Sequence, residues 1–301
     1  MPNFIYLLLP VLFWSGNYVL GRVTLTSGFD PFALSFLRWT LAGLFILPFA
    51  YKKLYQERQH IAKHWKLLTL FAWLGVCNYN LFLYIGLTST SVTNAVLLNS
   101  IMPVMILISA RIILQQTTTG LQNLGILIST LGAIEIVSRG SLDTLLQLTI
   151  STGDMWILAA AICWAVYSVL IVKRPQSLST MGFFASTVAI GILIQIPLTL
   201  LFAQQDFSAL TYLNWATVVY MAIFASIGAF LCWNTGIQKL GAATAGHFIH
   251  LMPVFSIILS VIFLDETFFD FHAIGMVLIF AGILIATVLN KRYVKRKQIK
   301  I

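Results

Sequence analysis

The chain has 301 residues, of which 59% are apolar and only 9% charged, with a net charge of +9. A soluble domain carries about 25% charged residues, so no single aqueous core accommodates this composition and most of the apolar surface must face lipid. The basic excess is gathered in Lys52, Lys53, Arg58, Lys63 and Lys66 and again from Lys291 to Lys300, in each case beside an apolar run. This reads as anchoring to anionic lipid rather than nucleic-acid binding.

A membrane span needs about 20 predominantly apolar residues. Ten such runs follow one another at 4–24, 32–51, 66–87, 92–113, 121–138, 154–172, 181–202, 213–236, 242–264 and 271–289, numbered here spans 1 to 10. Span 1 has no basic stretch before it and no small-residue cleavage site after it, so it is expected to remain as a span. It carries Trp14, Asn17 and Tyr18, with Arg22 at its end, and span 2 holds Arg38 about two turns inside. A basic loop at 52–65 leads to span 3, which carries Asn78, Asn80 and Tyr84, and to span 4 with Asn99, where Pro103 removes a helical hydrogen bond. The segment 139–153 joins the two halves. In the second half, Trp164 and Tyr167 lie in span 6, Trp233 and Asn234 in span 8, and His247, His250 and Pro253 in span 9. Small residues in spans 5 and 10, among them Gly125, Ser129, Gly132, Gly275 and Gly282, suit close helix packing and mark these two spans as scaffold. Cys77, Cys163 and Cys232 are odd in number and lie within spans, which argues against a disulfide framework. With the N-terminus inside, nearly all loop Lys and Arg fall on one side, leaving only Arg22 and Arg139 on the other, so both termini are expected in the cytoplasm.

The chain also matches itself at an offset of 150 residues: Gly86-Leu87 through Met102-Pro103-Val104 aligns without a gap on Gly236-Ile237 through Met252-Pro253-Val254. Trp14 falls on Trp164, Gly125 on Gly275 and Gly132 on Gly282. Five spans per copy turn the second copy upside down relative to the first. The expected fold is therefore an all-α integral membrane protein of ten transmembrane helices in two inverted five-helix repeats. These are 1–150 and 151–290, with a basic cytoplasmic tail at 291–301. Inverted repeats suit alternating access around a midplane site.

Polar side chains within a span tend to face a cavity or another helix. Trp14, Asn17, Tyr18, Asn78, Asn80, Tyr84 and Asn99 form a set in the first copy, and Trp164, Tyr167, Trp233, Asn234, His247 and His250 a set in the second. Together they outline a polar, aromatic path on which Asn and Tyr could hold a zwitterion, although each is equally a helix-packing residue. Arg38 could attract a carboxylate or cap neighbouring carbonyls. His247 and His250, three residues apart, could exchange protons, and no third ligand nearby supports a metal site. Pro103 and Pro253 are candidate gating kinks.

Phe13-Trp14-Ser15-Gly16-Asn17, Phe36-Leu37-Arg38-Trp39, the two Met-Pro-Val triplets and Leu264-Asp265-Glu266 make the chain similar to the drug/metabolite transporter superfamily, specifically its EamA-type members. The resemblance covers nearly the whole chain and implies export of amino acids and related metabolites, some members carrying sugars, nucleotide sugars or toxic cations. One departure is Gln115-Gln116 after span 4, where the family often has an acid. This weakens any mechanism built on paired acids.

The expected function is thus a secondary transporter exporting amino acids or related small metabolites, with efflux of lipophilic cations as the alternative. An intramembrane enzyme lacks a nucleophile–base constellation here, and a channel would more naturally use cyclic symmetry. No cofactor is expected. The expected partners are a small-molecule substrate and the lipid bilayer, without nucleic acid, with a monomer the simplest form and a bacterial-type inner membrane the location.

Overall fold

The computed structural model describes residues 2–90, 92–146, 151–264 and 267–291. Asp265, Glu266 and the tail beyond Lys291 lie outside the described residues. All the regular structure described is helical. Nine helices among the described residues are long and apolar enough to cross a membrane. Span 1 is the 22-residue helix Ile5–Thr26, which carries Ser15, Asn17, Tyr18 and Arg22 among its apolar residues and is not one of the nine.

Helix starts follow local chemistry. Asp30 caps span 2 by accepting from the backbone N–H groups of Phe32 and Ala33 at 2.9 and 3.0 Å, with Pro31 in the first turn. Thr119 with Gln122 closes a capping box on span 5, and Ser151 with Asp154 does the same on span 6. The segment 52–65 is not a loop, as the sequence reading has it. Span 2 runs on to Gln56, and Arg58–Lys63 forms a further helix. No Gly or Pro interrupts the chain between Pro48 and Gly75, and Lys, Arg, Gln, Leu and Ala are good helix formers.

Spans 4 and 9 each break in mid-membrane. Val92–Asn99 is followed by Met102–Leu114, and Ala242–Ile249 by Leu251–Leu264, so the interruptions at Ser100 and His250 coincide under the 150-residue offset. Spans 3 and 8 share a second irregularity, widening into π-helix at Ala72–Asn78 and Met221–Gly228. π segments recur at functional sites because the wider turn redirects side chains and carbonyls.

Spans 5 and 10 cross backbone to backbone. A Cβ on Gly125 would stand 2.5 Å from the carbonyl oxygen of Gly282, and one on Gly132 would stand 2.6 Å from that of Gly275. Numbers rise along one helix as they fall along the other, so the two spans run antiparallel, and equivalent glycines exchange partners across the crossing. A two-fold axis in the membrane plane produces this arrangement, which identifies the repeats as inverted. Span 3 packs on span 6 as span 1 packs on span 8, by the same symmetry.

Candidate functional site

The axis passes through an aromatic cluster. Trp14 meets its own repeat equivalent Trp164 edge to face at 4.9 Å, and Trp233 lies 5.3 Å from Trp14 and 5.8 Å from Trp164. Tyr79, Tyr167 and Phe230 complete the cluster around Trp164 at 4.6, 5.2 and 5.2 Å. Such ring pairs add to the stabilisation from burial alone. In this conformation the rings fill the space between the repeats.

Arg38 sits against one flank of this cluster and is fully buried. Its Nε donates to Ser226 Oγ at 2.6 Å and its Nη2 to the Ala225 carbonyl at 2.9 Å. Its Nη1 reaches Asn80 Oδ1 at 2.7 Å, the Tyr84 hydroxyl at 2.8 Å and Asn17 Oδ1 at 3.3 Å. Every one of these partners is neutral. The hydrogen bonds give each guanidinium nitrogen an acceptor but leave a full positive charge in a low-dielectric interior, an arrangement proteins retain at cost.

The π segments build this cage. Asn80, just beyond Ala72–Asn78, turns its Nδ2 back to the Gly75 carbonyl at 3.0 Å, which aims its oxygen at Arg38. Ala225 and Ser226 lie within the second π segment, and the Ala225 carbonyl accepts from both Arg38 and Trp14 Nε1, the latter at 3.0 Å. Neither π segment has a signature that an apolar pattern reveals, and Ser226 is missing from the candidate set for that reason.

A cross-helix bond repeats with its chemistry swapped. The Tyr84 hydroxyl donates to Asn17 Oδ1 at 3.1 Å, and the Tyr167 hydroxyl donates to Asn234 Oδ1 at 3.0 Å. Asn17 is equivalent to Tyr167 and Tyr84 to Asn234, so each repeat has the same bond with the residue types exchanged. The two pairs lie on opposite sides of the Trp14–Trp164 contact.

At the helix breaks, Asn99 Nδ2 donates to the Tyr18 hydroxyl. A cavity of about 10 Å³, room for about one water molecule, lies between Tyr18, Asn99, Ser100, His250 and Pro253. The histidines, which share a helix face in the sequence reading, differ in surroundings. His250 is held by the Ser100 carbonyl at Nε2, 2.9 Å, and by Ser129 at Nδ1, 2.7 Å. Ser129, on scaffold span 5, thus takes part in the helix break as well. His247 is fully buried with neither ring nitrogen bonded.

An unbonded buried polar group costs about 1–3 kcal/mol. Replacing His247 with leucine, the residue at its repeat equivalent Leu97, is therefore expected to raise the melting temperature in detergent. An unchanged or lower midpoint would show that the imidazole has a structural partner.

Of the other candidates, Asn78 is buried with its Nδ2 unpartnered and makes no bond to the Arg38 cage. Arg22, at the end of span 1, donates to the Leu87 carbonyl and ties the ends of spans 1 and 3 together. Among the described residues no group of three or more His, Cys, Asp or Glu is placed to hold a metal.

The sequence profile described as the EamA-like transporter family matches this chain twice, at residues 1–138 and 151–288. A Bacillus subtilis protein named uncharacterized transporter YyaM is 34% identical over 218 residues, 71% of this chain and 70% of that protein. An uncharacterized transporter of Archaeoglobus fulgidus is 26% identical over 285 residues, 93% of this chain and 96% of its own. One solved crystal structure superposes with a TM-score of 0.79 at 20% identity, covering 97% of this chain and 98% of that one, which is a likeness of fold.

Proposed function

Because the chain belongs to the EamA-like transporter family, we propose that it is a secondary transporter exporting amino acids or related small carboxylate-bearing metabolites by alternating access. The observation that carries the substrate class is Arg38, a buried guanidinium at the meeting of the two repeats with only neutral partners. A carboxylate entering the opened site displaces the Ser226 hydroxyl and the Ala225 carbonyl and supplies the missing counter-charge. The oxygen of Asn80, which accepts only from Arg38, keeps a lone pair for an ammonium group. A lipophilic cation, the alternative, meets a like charge at this point, which weighs against it.

The proposed path runs along spans 1, 3, 4, 6, 8 and 9, with spans 5 and 10 as the post on which the halves turn and the breaks at Ser100 and His250 as its joints. Proton exchange is assigned to His250 rather than His247. Its Nε2 faces a carbonyl and so carries hydrogen, while Ser129 can either donate to Nδ1 or turn to the Gly125 carbonyl at 2.8 Å and accept. Both protonation states therefore leave every group bonded. The basic side of the bundle, holding Lys52 to Lys66, Lys173, Lys239 and Lys291, is taken as cytoplasmic.

The test is counterflow in proteoliposomes preloaded with pooled L-amino acids and challenged with each labelled one. Saturable exchange is expected, insensitive to added ATP. No exchange by protein that elutes as a folded species would sink the amino-acid reading. Replacing Trp14 with phenylalanine keeps a ring but removes one of the two side-chain donors to the Ala225 carbonyl, a loss of about 1 kcal/mol. We expect a lower flux at unchanged yield, and wild-type flux in this variant would move the site away from Trp14.

A further inference from the structure

Three of the buried nitrogens left without partners belong to two residues at a second place. Arg174 follows the last turn of span 6 and is only 9% exposed, yet its Nε and Nη1 have no hydrogen-bond partner. Asn234 in span 8 is fully buried, and its Nδ2 is unpartnered too. Tyr167 links them: its hydroxyl donates to Asn234 Oδ1, and it is one of the two electrostatic neighbours of Arg174, the other being Glu57. An aromatic wall closes the same region, from Phe183 under the guanidinium at 5.9 Å, through Phe71, to Tyr167.

The backbone fixes this guanidinium. Ile171–Lys173 is a 3-10 turn, and Arg174 is extended at φ −57° and ψ 146°, as a residue before proline prefers. Glu57 does not form a tight pair with it. Its Oε2 accepts from the Ser179 backbone N–H at 3.1 Å, at the start of span 7. Burial consequently pulls the Arg174 guanidinium below its ordinary value, with Glu57 and Tyr167 opposing.

Symmetry gives these donors a meaning. The Tyr167–Asn234 pair is the repeat counterpart of Asn17–Tyr84, the pair that Arg38 serves. Each copy of the pair therefore has an arginine within electrostatic reach, bonded directly in the case of Arg38. The repeat equivalents of Arg38 and Arg174 are Val188 and Thr24, so the two arginines are not copies of one another. Each reaches the same kind of place from an unrelated element, one with all three nitrogens bonded and the other with Nε and Nη1 open.

We propose that Arg174 and Asn234 form a second station for the substrate's carboxylate, on the basic-loop side of the bundle, from which the substrate passes to Arg38. This rests on the carboxylate reading above. It adds that the substrate meets two arginines in turn, one on each side of the tryptophan cluster, and that the open N–H groups of Arg174 are the first to bind it.

Equilibrium binding of a tritiated L-amino acid, chosen by the counterflow screen, to purified full-length protein separates the possibilities. The Arg38→Gln variant is expected to bind about tenfold more weakly than wild type, retaining the second station. Adding Arg174→Gln is expected to weaken binding by about another tenfold or more, and Arg174→Lys in the same background to restore part of it. Should the double variant fail to fold, Arg38→Gln with Asn234→Leu is expected to remove the same residual binding. The second station is overturned if Arg38→Gln alone abolishes binding, or if the change at residue 174 leaves the residual binding untouched. Wild-type protein that is folded yet binds no amino acid overturns the carboxylate reading and the station together.

Discussion

Replacing Arg38 with glutamine is expected to end amino-acid counterflow while the protein still purifies as a folded species. Glutamine can keep a bond to Asn80 or Tyr84, so the neutral cage survives, but the charge that the substrate's carboxylate requires is gone. A hydrogen bond to a charged group contributes about 1.5–3 kcal/mol, which corresponds to roughly a ten- to hundredfold loss in binding for one such contact. Lysine at the same position is expected to fall between glutamine and arginine. An ammonium restores the charge but cannot span the distance from Ser226 on span 8 to Asn80 on span 3, as the guanidinium fork does. If the glutamine variant transports at the wild-type rate, Arg38 is a packing residue and the proposed site is wrong. If glutamine and lysine are equally dead, the fork geometry rather than the charge is what the site uses.

The other large effect is expected at the crossing of spans 5 and 10. Alanine at Gly125 places a methyl group 2.5 Å from the Gly282 carbonyl oxygen and 2.6 Å from the Ala286 methyl group. Neither neighbour can swing aside, since one is backbone and the other a Cβ. Overpacking of this kind costs about 1–3 kcal/mol, and leucine at the same site should prevent the two helices from meeting at all. The expected result is a lower melting temperature for Gly125→Ala and no monodisperse protein for Gly125→Leu. Gly120 is the control, because a Cβ there meets nothing within 4 Å. Equal midpoints for the alanine variants at 120 and 125 would mean that the close crossing is not what holds the scaffold.

The apolar runs carried most of the architecture in plain view. Span limits read at 121–138, 154–172 and 181–202 became helices Gly120–Ser138, Thr152–Lys173 and Thr180–Phe202. Hydropathy reports length and lipid exposure, and those are the quantities a span must satisfy. The helical segment at 58–63 has the same origin in reverse: its charged residues give no hydropathy signal yet favour helix. The candidate site was legible as residue types and illegible as partnerships. Asn17, Arg38, Asn80 and Tyr84 were each visible as polar residues inside spans, but their convergence depends on two π segments whose sequences, Ala72–Asn78 and Met221–Gly228, look like ordinary apolar helix. The histidines illustrate the same limit. Spacing placed His247 and His250 on one face, and a break in the helix at residue 250 gave them different neighbours.

The acceptor shared by Trp14 and Arg38 is a main-chain atom, the carbonyl of residue 225. No exchange of one side chain for another deletes it. Neither the buried methyl group of Ala225 nor the hydroxyl of Ser226 forms any part of it. Only an insertion or deletion that shifts the helical register of Met221–Gly228 would take it away. The side chains around this point are therefore fastened, through helix geometry, to an atom that no side chain supplies.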